Sequence, residues 1–501
     1  MPHEDMPSNN SAPSRTPSPE PFDNPVPVRL TPLLLGPALA LLILLTPPPA
    51  GLSSPSWALI ALLTWMVIWW LTEAVPLSAT ALLPIPMLPL FGIAPLKQAT
   101  LGYAHPLIFM FLGGFSISLA MQKWGLHRRI ALNLISRIGT TTSGINGGFM
   151  LATAALSMWI SNTATTIMMF AVALSVIEVV NNSNKAGRAR ENFALALMLG
   201  IAYSASIGGL GTLIGTVPNA LFASFMESTY NVKIDFLSWM MVGVPIILIM
   251  IPLTWLLLTK VIFVSDDLDL QATFEMVEKE IKGLGAVSRA EAIVIGVFAF
   301  AAIGWIFGKP LAAITNLPIT DTVVALIAAV LLFAIPVSLK KGQFTLEWED
   351  TRNMPWGVLL LIGGGLAIAG AFKSTGLALS IGESLSILKS LNILLLLFIV
   401  TSAIVFLTEL TSNTASTATF LPVVGAIAVG IGQDPLLLCV AVTVGASMAF
   451  MLPVATPPNA IVFSFKGLHV HHMVKAGLWL NMAAILVCTG VVYMLIGIAF
   501  S

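Results

Sequence analysis

Charge is what this chain of 501 residues most lacks, since Asp, Glu, Lys and Arg together make up 9% of it where a soluble globular protein carries roughly 25%. That deficit excludes an ordinary cytosolic enzyme. An excess of either sign is missing too, because 23 basic residues balance 23 acidic ones. With no surplus of Lys and Arg to neutralise phosphates, nucleic-acid binding is excluded. Cysteine is nearly absent: Cys439 and Cys488 both lie in apolar runs, which rules out a disulfide framework or a thiolate cluster and leaves them as small core residues. Enzyme words are absent as well: there is no HExxH, no GxSxG, no GxxxxGK followed by Ser or Thr, and no CxxC. An intramembrane enzyme is left as a remote alternative.

What is present is apolar length. Hydrophobic residues make up 57% of the chain, and a membrane crossing needs about 20 of them in a row. Apolar segments bounded by charge or by Pro/Gly clusters predict eleven spans, near 30–46, 57–75, 77–94, 104–122, 192–226, 238–264, 290–308, 320–339, 355–372, 434–466 and 473–500. Two more stretches, 144–180 and 392–430, are too long for one crossing and carry a polar cluster at mid-length, which predicts re-entrant hairpins. Residues 1–29 are rich in Pro, Ser and Asn and read as a disordered tail. The first apolar run begins only near Leu30, without the basic start of a cleaved signal, so 30–46 reads as a retained first span.

With the tail in the cytoplasm, 18 of the 23 Lys and Arg residues fall inside and only Lys97, Lys233, Lys309, Lys373 and Lys389 fall outside, as the positive-inside rule requires. The same layout puts the C-terminus outside. Residues 265–289, with Asp266, Asp267, Asp269, Glu275, Glu278 and Glu280, read as a cytoplasmic linker between two halves, 57–264 and 290–501.

Those halves repeat the same words in the same order. Leu112-Gly113-Gly114 with Lys123, Ser161-Asn162-Thr163 and Thr216-Val217-Pro218-Asn219-Ala220 return as Ile362-Gly363-Gly364 with Lys373, Ser412-Asn413-Thr414 and Thr456-Pro457-Pro458-Asn459-Ala460. Five spans per copy is an odd number, so the copies enter the membrane from opposite faces. Inverted repeats of this kind build secondary transporters, which bind substrate near the midplane between them.

The Ser-Asn-Thr words fall where each hairpin must turn inside the bilayer, leaving backbone groups in need of polar partners. The Pro-Asn words lie in apolar spans of over 30 residues. Gly208, Gly209, Gly211 and Gly215 in one, and Pro453, Pro457 and Pro458 in the other, predict a break in each helix. Such breaks offer helix N-termini to an anion and free carbonyls to a cation. No Arg lies at the centre of a span, so an anion would be held by hydroxyls, amides, helix N-termini and co-bound sodium. Glu409 is an acidic group at depth, either functional or structural, paired with a donor at the hairpin tip or with Lys373. Glu73 reads as interfacial. His469, His471 and His472 lie in a short cytoplasmic loop with no carboxylate or thiol beside them, and the Gly304/Gly308 pair suggests helix packing.

These residues resemble the divalent-anion:sodium symporters, a family that includes bacterial sodium-coupled dicarboxylate transporters. The likeness covers about residues 57–500, and its most specific words are the two Ser-Asn-Thr triplets and the stretch Ser447 to Val462. It implies an all-α polytopic membrane protein working as an elevator, in which a transport domain with both hairpins and both broken helices slides against a scaffold that forms a homodimer. It implies one sodium site at Ser157, Ser161, Asn162 and Gly215, and another at Thr408, Ser412, Asn413 and Ala455. Substrate carboxylates would meet Asn162, Thr163, Thr216, Asn413, Thr414, Thr456 and Pro457. Val217 departs from the pattern, standing where the second copy has Pro457. The function implied is sodium symport of a C4 dicarboxylate such as succinate, fumarate or malate across the inner (plasma) membrane. Sodium-independent exchange and transport of sulfate or citrate remain open.

Overall fold

The computed structural model describes residues 30–137, 141–183, 187–265, 268–377, 380 and 391–500. The tail expected over 1–29, with Arg15 and Arg29, and the charges Lys185, Asp266, Asp267 and Lys389 lie outside the described residues.

Helix α1 (Leu30–Leu45) lies along α2 (Ser54–Thr72), tied to it by Trp57 Nε1 donating to Ile43 O at 2.8 Å and Trp69 Nε1 donating to Leu33 O at 3.1 Å. There follow α3 (Leu77–Thr80), α4 (Pro84–Leu90), α5 (Leu96–Leu101), α6 (Pro106–Lys123) and α7 (Leu126–Arg137). A helix pair, α8 (Thr142–Ser157) and α9 (Asn162–Ser183), leads to an interrupted helix, α10 (Arg188–Gly208) and α11 (Val217–Tyr230), and then to α12 (Phe236–Leu256). After α13 (Gln271–Gly283) the second half begins with α14 (Arg289–Thr315), α15 (Asp321–Ala334), the antiparallel strands β1 (Pro336–Ser338) and β2 (Gln343–Phe344), and α16 (Trp356–Thr375). The same pair and interruption then recur as α17 (Ile393–Thr408), α18 (Asn413–Gly430), α19 (Pro435–Ala446) and α20 (Pro457–Phe463), ending with α21 (Val470–Ala499).

Local chemistry sets these starts. Thr141, Asp235, Thr320, Asn392, Ser412 and Asp434 each accept a backbone N–H of the helix that follows, which satisfies a donor the helix cannot pair internally. Ser288 and Glu291 close a reciprocal capping box at the head of α14.

Among the described residues nine helices are long and apolar enough to cross a membrane. Seven coincide with predicted spans, and the other two are α9 and α18, the second arms of the predicted hairpins. The remaining four predicted spans are shorter apolar pieces. The span read over 77–94 is two short helices, because Pro84 and Pro86 remove backbone donors. The span read over 320–339 ends at Ala334, and Pro336 opens a strand instead. The linker read as a charged loop contains the amphipathic α13, which packs on α7 and α9. Arg128 pairs with Glu280 there, and Arg129 Nε donates to Glu291 Oε1 at 2.6 Å.

Helix α10 is buried from Phe193 to Gly208, enclosed by α8, α9, α12 and α20. The halves interlock. The second piece of each broken helix packs on the other half's pair, α11 against α18 and α20 against α9. The Gly-Gly words are packing positions: a Cβ at Gly113 would stand 2.4 Å from Ala325 O, and one at Gly364 would stand 2.5 Å from Ala81 O. Gly304 serves the same purpose against Val324 of α15.

Candidate ion and substrate site

The chain turns between α8 and α9 over residues 158–161, and Ser161 Oγ accepts the Ala164 N–H at 3.3 Å, so the serine of the first triplet is a helix cap. Ser412 does the same for Ala415 at 3.2 Å. The asparagine that follows in each word reaches back across the turn. Ser157 Oγ lies 2.5 Å from Asn162 Oδ1 and 2.7 Å from Ala205 O. Thr408 Oγ1 lies 2.9 Å from Asn413 Oδ1 and 3.0 Å from Ala446 O. A hydroxyl has one proton to give, so in each cluster two acceptor oxygens converge on a single donor. Uncharged oxygens gathered at a helix break are the donor set that holds sodium in transporters with interrupted helices.

The breaks themselves are held by the asparagines of the Pro-Asn words. Asn219 Nδ2 donates to Gly209 O at 3.0 Å and Thr212 O at 2.7 Å, and Asn459 Nδ2 donates to Leu452 O at 3.0 Å and Ala449 O at 3.3 Å. Both side chains are fully buried, and both Oδ1 atoms lack a hydrogen-bond partner. Gly215 sits against Gly209 O, where a Cβ would be 2.4 Å away, and Ala455 is buried at the matching place in the second break. Two glycines outside the repeated words let the breaks seat: a Cβ on Gly243 would meet Leu210 O at 2.2 Å, and one on Gly477 would meet Phe450 O at 2.3 Å.

Symmetry fails at Glu409. Its carboxylate accepts the N–H groups of Phe450 (2.7 Å), Met451 (2.9 Å) and Leu452 (3.0 Å), and Asn481 Nδ2 at 2.7 Å. Neither Lys373 nor a tip donor is its partner; backbone donors freed by the second break are, because those N–H groups have lost their helical acceptors. In the first half Met158 stands at the equivalent position, and Thr212 Oγ1 donates to the Met158 carbonyl instead.

A cavity of about 290 Å³ is walled by Ser161 and Thr163 of the first triplet, Gly215 and Thr216 of the first break, and Ser118 and Gln122 of α6. Among the described residues no charged side chain lines it. The heads of α9 and α11 face it, and Thr216 makes no side-chain cap on α11. Thr456, by contrast, spends its hydroxyl on the Asn459 N–H at 3.2 Å. The structure therefore brings Ser161, Thr163, Gly215 and Thr216 to one cavity and Ser157 and Asn162 to one oxygen cluster. Asn413, Thr414, Thr456 and Pro457 do not line this cavity, and Thr408 and Asn413 form their own cluster. Sequence reasoning missed Ser118 and Gln122, joined by a 3.1 Å bond from Gln122 Nε2 to Ser118 Oγ. Their signal was present: they follow Gly114 at steps of four, on one face of a largely apolar helix.

Residues 28–498 match the family described as the sodium:sulfate symporter transmembrane region. The sodium-dependent dicarboxylate transporter SdcS of Staphylococcus saprophyticus is 38% identical over 474 residues, covering 93% of this chain and 91% of its own length. The protein of the same name from Staphylococcus aureus strain USA300 is 37% identical over 468 residues, covering 92% and 90%. Among solved structures, the YdaH transporter of Alcanivorax borkumensis superposes with a TM-score of 0.56 at 13% identity, over 89% of this chain and 98% of that one. MtrF of Neisseria gonorrhoeae gives a TM-score of 0.56 at 12% identity, over 88% and 95%. At such identities the likeness speaks for the fold alone. The family match spans nearly the whole chain and the relatives exceed 30% identity, so the chain belongs to the sodium:sulfate symporter family, the divalent-anion:sodium symporters.

Proposed function

We propose that this protein couples inward movement of sodium to uptake of a C4 dicarboxylate, with succinate, fumarate and malate as substrates. The carrying observation is the pair of matching oxygen clusters, Ser157–Asn162–Ala205 and Thr408–Asn413–Ala446, the first of them next to a cavity that, among the described residues, has no charged side chain on its wall. Sodium at Ser157, Ser161, Asn162 and Gly215, and at Thr408, Ser412, Asn413 and Ala455, supplies the positive charge that the wall lacks. The dianion then meets Thr163 and Thr216 and the open head of α11, with Asn162, Asn413, Thr414, Thr456 and Pro457 completing the site from both triplets and the second break. The SdcS relatives, sodium-dependent dicarboxylate transporters, support this substrate class.

The two helix pairs act as re-entrant hairpins and travel with the broken helices as an elevator, against a scaffold that forms a homodimer in the inner membrane, N-terminus inside and C-terminus outside. Interlocking of α11 with α18 and of α20 with α9 supports a transport unit that moves as one body. Each sodium entering down 100 mV gains about 2.3 kcal/mol from the potential, and each of the two negative charges of the dianion costs as much, so with two sodium ions the concentration gradient of sodium drives accumulation and a third brings in the potential.

The test is uptake of labelled succinate into empty proteoliposomes under an inward sodium gradient, against potassium as control. Sodium-dependent accumulation is expected. Uptake only after preloading with dicarboxylate would make the protein an exchanger, and competition by sulfate or citrate stronger than by fumarate would move the substrate class.

A further inference from the structure

A second and larger cavity, about 820 Å³, lies away from both triplets, at the end of the molecule where the Lys- and Arg-rich connections gather. Two stretches far apart in sequence build its rim: the head of α10 with Arg188 and Arg190, and the start of α21 with its cap His469 and then His471, His472 and Lys475. The imidazoles crowd together, with ring centroids of His471 and His472 3.9 Å apart and those of His469 and His472 5.6 Å apart. Among the described residues no group of His, Cys, Asp or Glu has the arrangement of a metal site. Arg188, Arg190 and Lys475 bring permanent positive charge to the same wall, which attracts an anion.

Arg190 Nη1 donates to Asn181 O at 2.9 Å. Among the described residues Arg188 and Lys475 have no carboxylate partner, and both are exposed. Among the described residues Glu191 is the one acidic side chain on the wall. Below the cationic rim the floor is apolar: Ile177, Leu195, Ile262 and Phe263. The neighbouring Val261, Val264 and Val470 are exposed, so the floor continues onto the apolar outside of the bundle. The positive-inside rule accounts for basic residues at this end. It does not account for their convergence from two segments nearly 280 residues apart on one cavity with an apolar floor.

We infer that this cavity binds the phosphate group of an anionic phospholipid, with the glycerol and upper acyl chains lying on the apolar floor. Arg forks suit phosphate oxygens, basic pockets between helices at the cytoplasmic side are built for such headgroups, and the volume falls within the range of small-molecule sites. The site is independent of the substrate reading above, because its occupant is read by binding and not by transport.

The experiment titrates the purified full-length protein with phosphatidylglycerol or phosphatidylcholine in mixed micelles, counting retained lipid by native mass spectrometry and following thermal unfolding. Retention and stabilisation specific to phosphatidylglycerol are expected. Arg188→Gln and Lys475→Gln are each expected to weaken that binding about fivefold, the scale of one cation at an anionic membrane surface. Lys466→Gln, a nearby exposed cation outside the wall, is expected to leave it unchanged. Equal retention of both lipids, or a preference untouched in the Arg188→Gln/Lys475→Gln double variant, would overturn the inference. Displacement of phosphatidylglycerol by ATP or pyrophosphate, with stabilisation by the soluble ligand alone, would keep phosphate recognition and overturn the lipid as its source.

Discussion

Asn481 Nδ2 donates to Glu409 Oε1 at 2.7 Å across 72 residues of chain, and this bond joins the end of α17 to the middle of α21. Between them lies the second break, whose three freed N–H groups share the same carboxylate. Glu409 is 4% exposed and Asn481 fully buried.

Replacing Glu409 with Gln puts an amide NH₂ where two backbone donors now find an acceptor. A buried donor left unmet is worth about 1–3 kcal/mol, more where a charge is lost. The unfolding temperature of Glu409→Gln is expected to drop, and Asn481→Leu to drop it less, since one donor is removed and no backbone group is orphaned. Glu409→Gln unfolding at the wild-type temperature, with uptake lost, would assign the carboxylate to transport instead.

Ser157→Ala and Thr408→Ala each delete the one hydroxyl on which an oxygen cluster converges. Each is expected to raise the sodium concentration for half-maximal succinate uptake roughly tenfold, the scale of one ligand or hydrogen bond. Thr408→Ser keeps the hydroxyl and is expected to stay near wild type. Unchanged sodium dependence in both alanine variants would remove sodium from these clusters.

Asn162→Ala and Asn413→Ala are expected to abolish uptake in protein that remains folded and elutes from size-exclusion chromatography in detergent where the wild type does. Asn219→Ala belongs to a different class. It removes two bonds that hold the first break, so loss of about 1–3 kcal/mol in stability is expected alongside the loss of uptake.

Gly243→Ala and Gly477→Ala place a methyl group inside the contact distance of a backbone carbonyl, at 2.2 and 2.3 Å. Overpacking against backbone that cannot move aside is expected to destabilise by about 1–3 kcal/mol or more. Gly296→Ala, in a helix with nothing within 4 Å of the added carbon, is the control expected to unfold like wild type.

Asp235 gives a dependence on pH. It accepts the Ser238 N–H at 2.8 Å and pairs with Lys309 at 2.7 Å. Burial raises its pKa, and Lys309 and the Ser238 bonds outweigh burial, leaving it below the ordinary carboxylate value. A folded pKa below the unfolded one means the contribution is complete above about pH 4 and is lost as pH falls through the folded value. Asp235→Asn keeps a capping side chain, so the difference in unfolding temperature between wild type and variant isolates the charge. That difference is expected to hold from pH 7 to about pH 4 and to shrink below; a difference that disappears between pH 7 and pH 5 would contradict the assignment.

Much of this protein is legible in its residue order. Apolar length, the imbalance of Lys and Arg between alternate connections, and three words that return in order are properties of neighbours along the chain, and they suffice for the membrane class, the duplicated plan and the positions of Asn162, Asn413, Asn219 and Asn459. Pro84, Pro86 and Pro336 are equally visible, yet they stand within segments bounded by charge or by Pro/Gly clusters, so the stretches 77–94 and 320–339 read as continuous. Tertiary structure alone decided that Glu409 meets three backbone donors and Asn481, that Gly243 and Gly477 make room for carbonyls more than 25 residues away in sequence, and that Ser118 and Gln122 share a wall with Thr163 and Thr216. Such contacts depend on how two helices cross, and a glycine or an amide carries no mark of which distant backbone it will meet.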